Sequence, residues 1–235
     1  MNSNLIGTLL NLFIKKGFIQ YLKPTHITID SEILDVGTGY GSRLISLKNK
    51  GFKNLTGIEP FIDKDIVYDN GITVYKMHLS EASGQYDLVM LNHSFEHMPD
   101  SLQAMKDVYR LLKPNRTALI RIPVADSYGW EKYKTKWMPM DPPRHFFLHT
   151  NTSMKILCDQ VGFEIAEVIY DSITYNYAAS EQLLKDVPIQ APDSYYINKK
   201  TTLFTKKELK RFRQMAVELN KAKKGDTACY YLYKK

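Results

Sequence analysis

The residues with the clearest chemical pattern form a glycine-rich turn at positions 35–41, Asp-Val-Gly-Thr-Gly-Tyr-Gly. The turn follows an apolar run and precedes a helical pattern. Because glycines carry no side chains, backbone N–H groups in such a turn can approach a ligand closely. Glu59 ends the next apolar run, where a carboxylate can accept hydrogen bonds from both hydroxyls of an adenosine ribose. The pattern predicts an adenosine-binding site.

The spacing of the glycines distinguishes two adenosine cofactors. A dinucleotide-binding turn needs a third glycine at position 42 so that helix and strand pack closely, and this chain has Ser42. Asp35 would repel a pyrophosphate, but it could pair, directly or through water, with the ammonium of a methionyl group. The turn therefore favours S-adenosylmethionine over NAD. The alternative, a turn that only connects a strand to a helix, does not account for Asp35 and Glu59.

A second group of polar residues follows the later apolar runs: Asn92, His93, Glu96, His97, Arg144, His145 and His149. Open α/β sheets bind ligands beyond the carboxyl ends of their strands, and an imidazole can take the proton of an attacking hydroxyl or amine. We expect His97, His145 and Arg144 to be catalytic. The alternative is that Glu96 and His97 only hydrogen-bond neighbouring loops.

His93, Glu96 and His97 also have i, i+3 and i+4 spacing, which would place them on one helical face and could suit a metal. We expect hydrogen bonding there and no metal. Aromatic residues nearby could stack on a sugar or pack the loop that carries them. They are Trp130, Tyr133, Trp137 and Phe146.

The elements that position these residues are short apolar runs alternating with helical patterns from residue 33 to residue 171. Such alternation predicts an α/β fold with a doubly wound, mostly parallel, seven-stranded Rossmann-like sheet. We expect a hairpin between the sixth strand and the last. The predicted strands span 33–36, 55–58, 72–75, 88–91, 118–122, 163–170 and 228–233.

The same patterns predict four parts of the chain. Residues 1–29 form an N-terminal helical cap, 30–171 the core, 172–225 a helical insertion or lid, and 226–235 the last strand. The apolar residues of 5–14 predict an amphipathic helix packed on the domain, with attachment to a membrane surface as the alternative. Residues 123–150 are predicted to be a long loop. Residues 172–204 lack a regular pattern, and Thr205 with Glu208 has the spacing of a capping box.

Charge and cysteine content limit the setting in which the chain works. Twelve of its Lys and Arg residues lie in 199–235 with only three acidic residues, so the net charge of +7 belongs to that segment and the rest is slightly acidic. The basic segment leaves a nucleic-acid methyltransferase open as an alternative, although no Asn-Pro-Pro-Tyr-like motif follows the fourth strand. Two cysteines cannot build a disulfide framework, which predicts a reducing, cytoplasmic setting.

Four successive motifs resemble those of class I S-adenosylmethionine methyltransferases: residues 35–41, Gly57–Pro60, Tyr86–Val89 and Leu111–Pro114. The stretch 141–150, with Gly162-Phe163, resembles a bacterial subgroup that often decorates cell-surface glycans or makes small metabolites. The run 93–97 is similar to a segment of ubiquinone-pathway O-methyltransferases that uses a divalent metal, with His93 in place of the first glutamate.

The resemblance implies where S-adenosylmethionine lies: the methionyl end near Asp35, Gly37 and Gly39, the ribose on Glu59, the adenine against Pro60, Phe61 and Leu79. The cofactor-binding residues implied in full are Asp35, Gly37, Thr38, Gly39, Tyr40, Gly41, Glu59, Pro60, Phe61, His78, Leu79, Asn92 and His93. We expect a small-molecule or glycan-precursor acceptor, no nucleic-acid partner and no transmembrane segment. A homodimer and a non-catalytic cofactor-binding role both remain open.

Overall fold

A computed structural model describes residues 18–198 and 203–235 of the chain. Within these residues, eight strands form a single sheet. They are β1 (Glu32–Val36), β2 (Asn54–Ile58), β3 (Ile66–Val67), β4 (Thr73–Tyr75), β5 (Leu88–Asn92), β6 (Arg116–Pro123), β7 (Phe163–Tyr170) and β8 (Thr227–Lys234).

Helices connect most of these strands. The α-helices are α1 (Ser42–Lys48), α2 (Ser101–Leu111), α3 (Tyr128–Tyr133), α4 (Asn151–Val161), α5 (Thr174–Leu184) and α6 (Lys206–Lys221). Short 3-10 segments cover Phe18–Thr25, Leu79–Glu81, Phe95–His97, Lys134–Lys136 and Met138–Met140.

The strand order β3-β4-β2-β1-β5-β6-β8-β7 fixes the position of the site. Strands β4, β2, β1, β5 and β6 run parallel, whereas β8 lies antiparallel between β6 and β7. After β1 the chain continues to β2, its neighbour on one side in the strand order, and after β5 it continues to β6, its neighbour on the other side. The direction of the connections therefore reverses between β1 and β5. The crevice beyond the carboxyl ends of β1 and β5 is therefore the expected place for a ligand.

The central strands are apolar on both faces because helices cover both sides of the sheet. In β5, Leu88 and Met90 pack into one buried cluster, and Val89 and Leu91 pack into another on the opposite face. Both clusters are built from residues of several strands. The doubly wound α/β architecture predicted from the sequence is confirmed.

The number of strands differs from the prediction by one. The additional strand, β3, has two residues and pairs antiparallel with β4 at the edge of the sheet. Ile66 is half-buried and Val67 is exposed, so the segment is too short and too exposed to give a periodic pattern. The predicted hairpin is present, since β7 and β8 are paired along their length.

Two helices occur where the sequence predicted loop or irregular structure. Helix α3 interrupts the predicted loop 123–150; it has six residues, and the Ser127 side chain caps it by accepting from the Trp130 N–H. Helix α5 lies in the segment 172–204. It buries polar residues such as Asn176 and Gln182 beside Tyr177, so it has no single apolar stripe from which a helix could be predicted.

A third buried cluster joins these helices into one layer. Its buried members come from α3, α5, α6 and the segments between them: Tyr133, Trp137, Tyr177, Ala178, Phe204, Phe212 and Ala216. Phe212 and Ala216 are the buried residues of α6, and most of the lysines on that helix are exposed. The predicted insertion therefore packs on the segment after β6 and not on the sheet alone.

Asp226 connects this layer to the start of β8. Its carboxylate is completely buried, accepts from the Trp137 indole Nε1 at 2.9 Å and accepts from the Gly129 N–H at 3.2 Å. Burial raises the pKa of Asp226 from 3.8 to about 6, and these two hydrogen bonds limit the rise. The carboxylate is thus ionised at neutral pH at a cost in stability.

This cost predicts a pH dependence of stability. Because the folded pKa lies above the unfolded value, the contribution of Asp226 is complete below about pH 4 and is lost as the pH rises through about 6. We expect a decrease of about 3 kcal/mol in the free energy of unfolding over this range. Urea unfolding from pH 3 to 7 measures it. Asp226→Asn should remove this part of the slope, and equal slopes for the two proteins would contradict the prediction.

The described N-terminal residues close one side of the sheet. In the segment Phe18–Thr25, Leu22 is buried in the core and the Tyr21 carbonyl accepts from the Tyr231 hydroxyl at 3.0 Å. The predicted amphipathic helix at 5–14 lies outside the described residues. No helix in 18–198 or 203–235 is long and apolar enough to cross a bilayer.

Candidate active site

The glycine turn lies directly beyond β1. Gly37, Gly39 and Gly41 all have positive φ, at 71°, 57° and 70°, a region that residues with a Cβ rarely occupy. At Gly37 an added Cβ would lie 2.4 Å from the Ser94 Cβ, so this position is closed by neighbouring protein. At Gly39 an added Cβ would meet no atom within 4 Å. The turn therefore presents open space above Gly39.

Asp35 holds this turn from below. Its side chain is fully buried, accepts from the Thr38 hydroxyl at 2.7 Å and pairs with the Arg43 guanidinium at 3.2 Å. Burial raises the pKa of Asp35, whereas Arg43 and Thr38 act to lower it. The carboxylate presents no surface to the crevice. In the structure the carboxylate supports the turn through Thr38 and Arg43, and its pairing with a methionyl ammonium, directly or through water, stays a prediction.

Glu59 lies opposite the turn at the end of β2. One carboxylate oxygen accepts from the Gly39 N–H at 2.9 Å, and the other accepts from the Phe61 N–H at 3.2 Å. These bonds fix the plane of the carboxylate. Each oxygen retains a lone pair for a further donor, and the side chain is only half-buried. Glu59 is therefore held in position to accept from hydroxyl groups in the crevice.

Two exposed aromatic side chains border the same crevice. Tyr40 is 73% exposed and Phe61 is 86% exposed, which is unusual for side chains of this size. Leu79 is buried, Pro60 is half-buried and His78 precedes the 3-10 turn that follows β4. The residues predicted from the sequence to contact an adenine thus follow the ends of neighbouring strands β2 and β4.

Ser94 connects the glycine turn to the residues after β5. Its hydroxyl donates to the Val36 carbonyl at 2.7 Å, and its side chain fills the space beside Gly37. His93 and Glu96 flank Ser94 in the chain, and both line a cavity of about 170 Å³. The cavity is therefore adjacent to the glycine turn, across a single buried serine.

The cavity is lined by residues from several parts of the chain. Those lining it are His93, Glu96 and His97 after β5, Met138, Pro139, Asp141 and His145 after β6, Asn176 on α5, and Pro123 and Thr227 where β6 and β8 meet. The sequence singled out the histidines. It contained no sign of Asn176 or Thr227, because their approach depends on how the insertion packs.

Glu96, His97 and His145 form the centre of this cavity. One ligand-type atom from each lies within 4.8 Å of the others. The imidazoles of His97 and His145 meet edge to face with ring centroids 4.8 Å apart. Burial lowers the pKa of His145, so its imidazole is neutral at physiological pH. The arrangement places the neutral imidazole of His145 beside His97 and Glu96.

His93 contacts Glu96 but is not part of this three-residue group. It has a φ of 54°, contacts Glu96 Oε1 through Nδ1 at 3.2 Å, and receives the Arg121 guanidinium on Nε2. Arg121 is in turn paired with Asp171 at 2.6 Å. The set of possible metal ligands that the sequence left open at 93, 96 and 97 is therefore not the one that the structure brings together. His145, from a distant segment, takes the place of His93.

The other polar residues predicted from the sequence are Arg144, His149 and Asn92, and they lie outside the three-residue group. The Arg144 side chain is exposed and pairs with Asp141 at 2.5 Å, and only its backbone carbonyl reaches His97. His149 is buried between Ser101 and Ser153, with Phe95 and Phe147 beside its ring. Asn92 is half-buried at the end of β5. The Arg144 guanidinium is not among the groups that line the cavity.

The aromatic residues divide into two groups. Trp137 is buried in the third cluster with Tyr133, and Trp130 packs on its edge. Phe146 is 59% exposed near the cavity. Packing therefore accounts for most of the aromatics of 123–150, and Phe146 is the one of these four with a largely open ring.

Comparison with known proteins supports one interpretation of this geometry. A family model described as a methyltransferase domain matches residues 13–168. Among curated proteins, none matches the chain significantly.

Solved structures with a similar fold include the cyclopropane synthase MmaA2 from Mycobacterium tuberculosis. It has a TM-score of 0.57 and 14% identity, with 92% of this chain and 82% of that one covered. Phosphoethanolamine N-methyltransferase 2 from Haemonchus contortus, bound to phosphomonomethylethanolamine and S-adenosylhomocysteine, has a TM-score of 0.54 and 16% identity. Here the match covers 92% of this chain and 52% of the other. At such identities the likeness concerns the fold.

Proposed function

Since the model of the methyltransferase domain covers more than half of this chain, the chain belongs to that family, and we propose that it methylates a small hydroxylated molecule. The methyl donor in this proposal is S-adenosylmethionine. The observation that carries it is the adjacency of two spaces: the open crevice at Gly39 and Glu59, and the cavity at Glu96, His97 and His145.

The residues of the crevice fit this donor. The space above Gly39 admits a ligand against the backbone, and Glu59 is fixed to accept from two neighbouring ribose hydroxyls. Tyr40 and Phe61 offer exposed rings beside an adenine. Asp35 acts through Thr38 and Arg43, which keep the turn in its open conformation.

The chemistry requires little covalent participation from the protein. S-adenosylmethionine supplies a methyl group on a sulfonium; an in-line nucleophile attacks the methyl carbon, the sulfur–carbon bond breaks and S-adenosylhomocysteine leaves. The cavity residues orient the acceptor so that its oxygen points towards the glycine turn. The proton of the hydroxyl passes to the group formed by Glu96, His97 and His145, which presents basic atoms at this point.

The size of the cavity and the polar side chains that line part of it indicate the acceptor class. A volume of about 170 Å³ suits one ring-sized part of a molecule. The polar side chains of Asn176 and Thr227 can hydrogen-bond further hydroxyls, and the exposed ring of Phe146 can stack on the apolar face of a sugar. A glycan precursor or a hydroxylated small metabolite meets these requirements.

A methyl-transfer screen tests the proposal. The protein is incubated with methyl-labelled S-adenosylmethionine and with panels of nucleotide sugars, phenols, amines and RNA oligonucleotides. We expect label in a hydroxylated small molecule and none in RNA. Transfer confined to RNA or to amines would contradict the proposed acceptor class, because the basic helix α6 or an amine site would then determine specificity.

A further inference from the structure

Glu96 has an unsatisfied carboxylate oxygen inside the protein. The residue is 1% exposed, and its Oε2 atom has no hydrogen-bond partner among the described residues. Its other oxygen, Oε1, contacts His93 Nδ1 at 3.2 Å. A buried ionised oxygen without a partner is costly unless a cation or a donor meets it. Glu96 lines the cavity, so the missing partner belongs there.

The two histidines of the cavity are oriented in the same way. His97 Nδ1 lies 2.9 Å from the Arg144 carbonyl oxygen, and His145 Nδ1 lies 2.6 Å from the Pro139 carbonyl oxygen. A carbonyl can only accept, so in each ring Nδ1 carries the proton. In the neutral ring Nε2 then holds a lone pair. Histidines that bind metals are commonly fixed in this way by a backbone carbonyl on the other ring nitrogen.

From these contacts we propose that Glu96, His97 and His145 bind one divalent cation of the zinc type. The ligands are Glu96 Oε2 and the Nε2 atoms of both histidines. Ligand-type atoms of these residues already lie within 4.8 Å of one another, so small side-chain rotations bring them to about 2 Å from a common centre. Three ligands leave a coordination position open towards the cavity.

The donor set determines the class of cation. Two imidazoles and one carboxylate suit zinc and neighbouring first-row metals, whereas magnesium and calcium prefer sites made of oxygen atoms. Outer contacts support the carboxylate, since the Arg121 guanidinium meets His93, and His93 meets Glu96. Asp141 lies 3.9 Å from His145 Nε2, at the edge of the same group.

The role of this cation rests on the proposed function, but its binding does not. Without the cation, Glu96, His97 and His145 are free to take the proton themselves. With the cation bound, their lone pairs would be coordinated, and the cation would polarise the acceptor hydroxyl at the open position so that its proton passes to the Asp141 carboxylate, which also lines the cavity. Metal uptake can be measured without an acceptor and without turnover.

Calorimetric titration of chelator-treated protein with Zn²⁺ tests the site. We expect one equivalent to bind to the wild type, and we expect Glu96→Gln and His145→Asn each to weaken binding at least about tenfold. The amide of the introduced asparagine can still donate to the Pro139 carbonyl, so His145→Asn removes Nε2 and retains the local contact. His26→Asn is the matched control, because His26 lies outside the cavity and has a positive φ that asparagine tolerates.

The experiment distinguishes failure of the metal site from failure of the proposed function. Loss of zinc affinity in both cavity variants but not in the His26→Asn control supports the site. If thermal unfolding shows that Glu96→Gln or His145→Asn does not fold, His97→Asn takes the place of that variant. Absence of stoichiometric uptake, or uptake that all variants share equally, overturns it. S-adenosylmethionine is titrated into the same samples: donor binding without zinc uptake refutes the metal site alone, whereas absent donor binding refutes the proposed function.

Discussion

Replacing Gly37 with alanine is expected to weaken binding of S-adenosylmethionine by at least about 100-fold. The new Cβ would lie 2.4 Å from the Ser94 Cβ, in a backbone conformation with a φ of 71°. Ser94 cannot yield easily, because it is buried and its hydroxyl is bonded to the Val36 carbonyl. Overpacking of this kind costs about 1–3 kcal/mol and the left-handed conformation about 1–2 kcal/mol more. The turn must shift, and the donor site shifts with it.

Two further glycine variants separate the causes. Gly71 also has a positive φ, but the nearest atom to an added Cβ is the Lys48 Nζ at 3.9 Å. Gly71→Ala should therefore lower thermal stability slightly and leave donor affinity unchanged. Gly39→Ala should lower stability to a similar extent and abolish donor binding, because its Cβ enters the open space above the turn. Equal donor affinity in all three variants would contradict the assigned site.

Replacing His145 with asparagine is expected to lower methyl-transfer turnover about 100-fold or more while leaving donor affinity within about twofold. Proton transfer by a positioned group contributes roughly 10²–10⁴-fold to a rate. His145 lines the acceptor cavity, whereas the donor crevice is formed by the residues after β1 and β2. Turnover is measured with the acceptor found in the screen, and donor affinity by calorimetry.

The Arg144 side chain provides the comparison for His145. It is exposed and paired with Asp141, so Arg144→Gln should retain most of the turnover although it is the neighbouring residue. A parallel loss of turnover and donor affinity in His145→Asn would indicate a general structural role. If Arg144→Gln lowers turnover as much as His145→Asn does, Arg144 is catalytic, as the sequence predicted.

Continuous apolar patterns made the sheet predictable. Strands such as β5 are buried on both faces, and their unbroken apolar runs are visible in the sequence. The sequence did not predict strand β3 or helix α5, and the reasons differ. Strand β3 is too short to show a period, and α5 is buried with polar residues on its inner side. Periodicity reveals an element only when one of its faces differs from the other.

The site was predictable to the extent that it follows the ends of strands. The glycine turn and Glu59 come directly after β1 and β2, so their proximity follows from the strand order. The meeting of His145 with Glu96 and His97 depends on how the segment after β6 folds, and no local pattern encodes it. The engagement of Asp35 by Arg43, in the first turn of α1, likewise became visible only in the structure.

Titration of the purified chain with S-adenosylmethionine in a calorimeter tests the central claim most directly. We predict saturable binding of one equivalent, competed by S-adenosylhomocysteine. Glu59→Ala should weaken it by about 2–3 kcal/mol, the value of hydrogen bonds to a charged group. Absence of any heat of binding at millimolar ligand, or wild-type affinity in Glu59→Ala, would contradict the account.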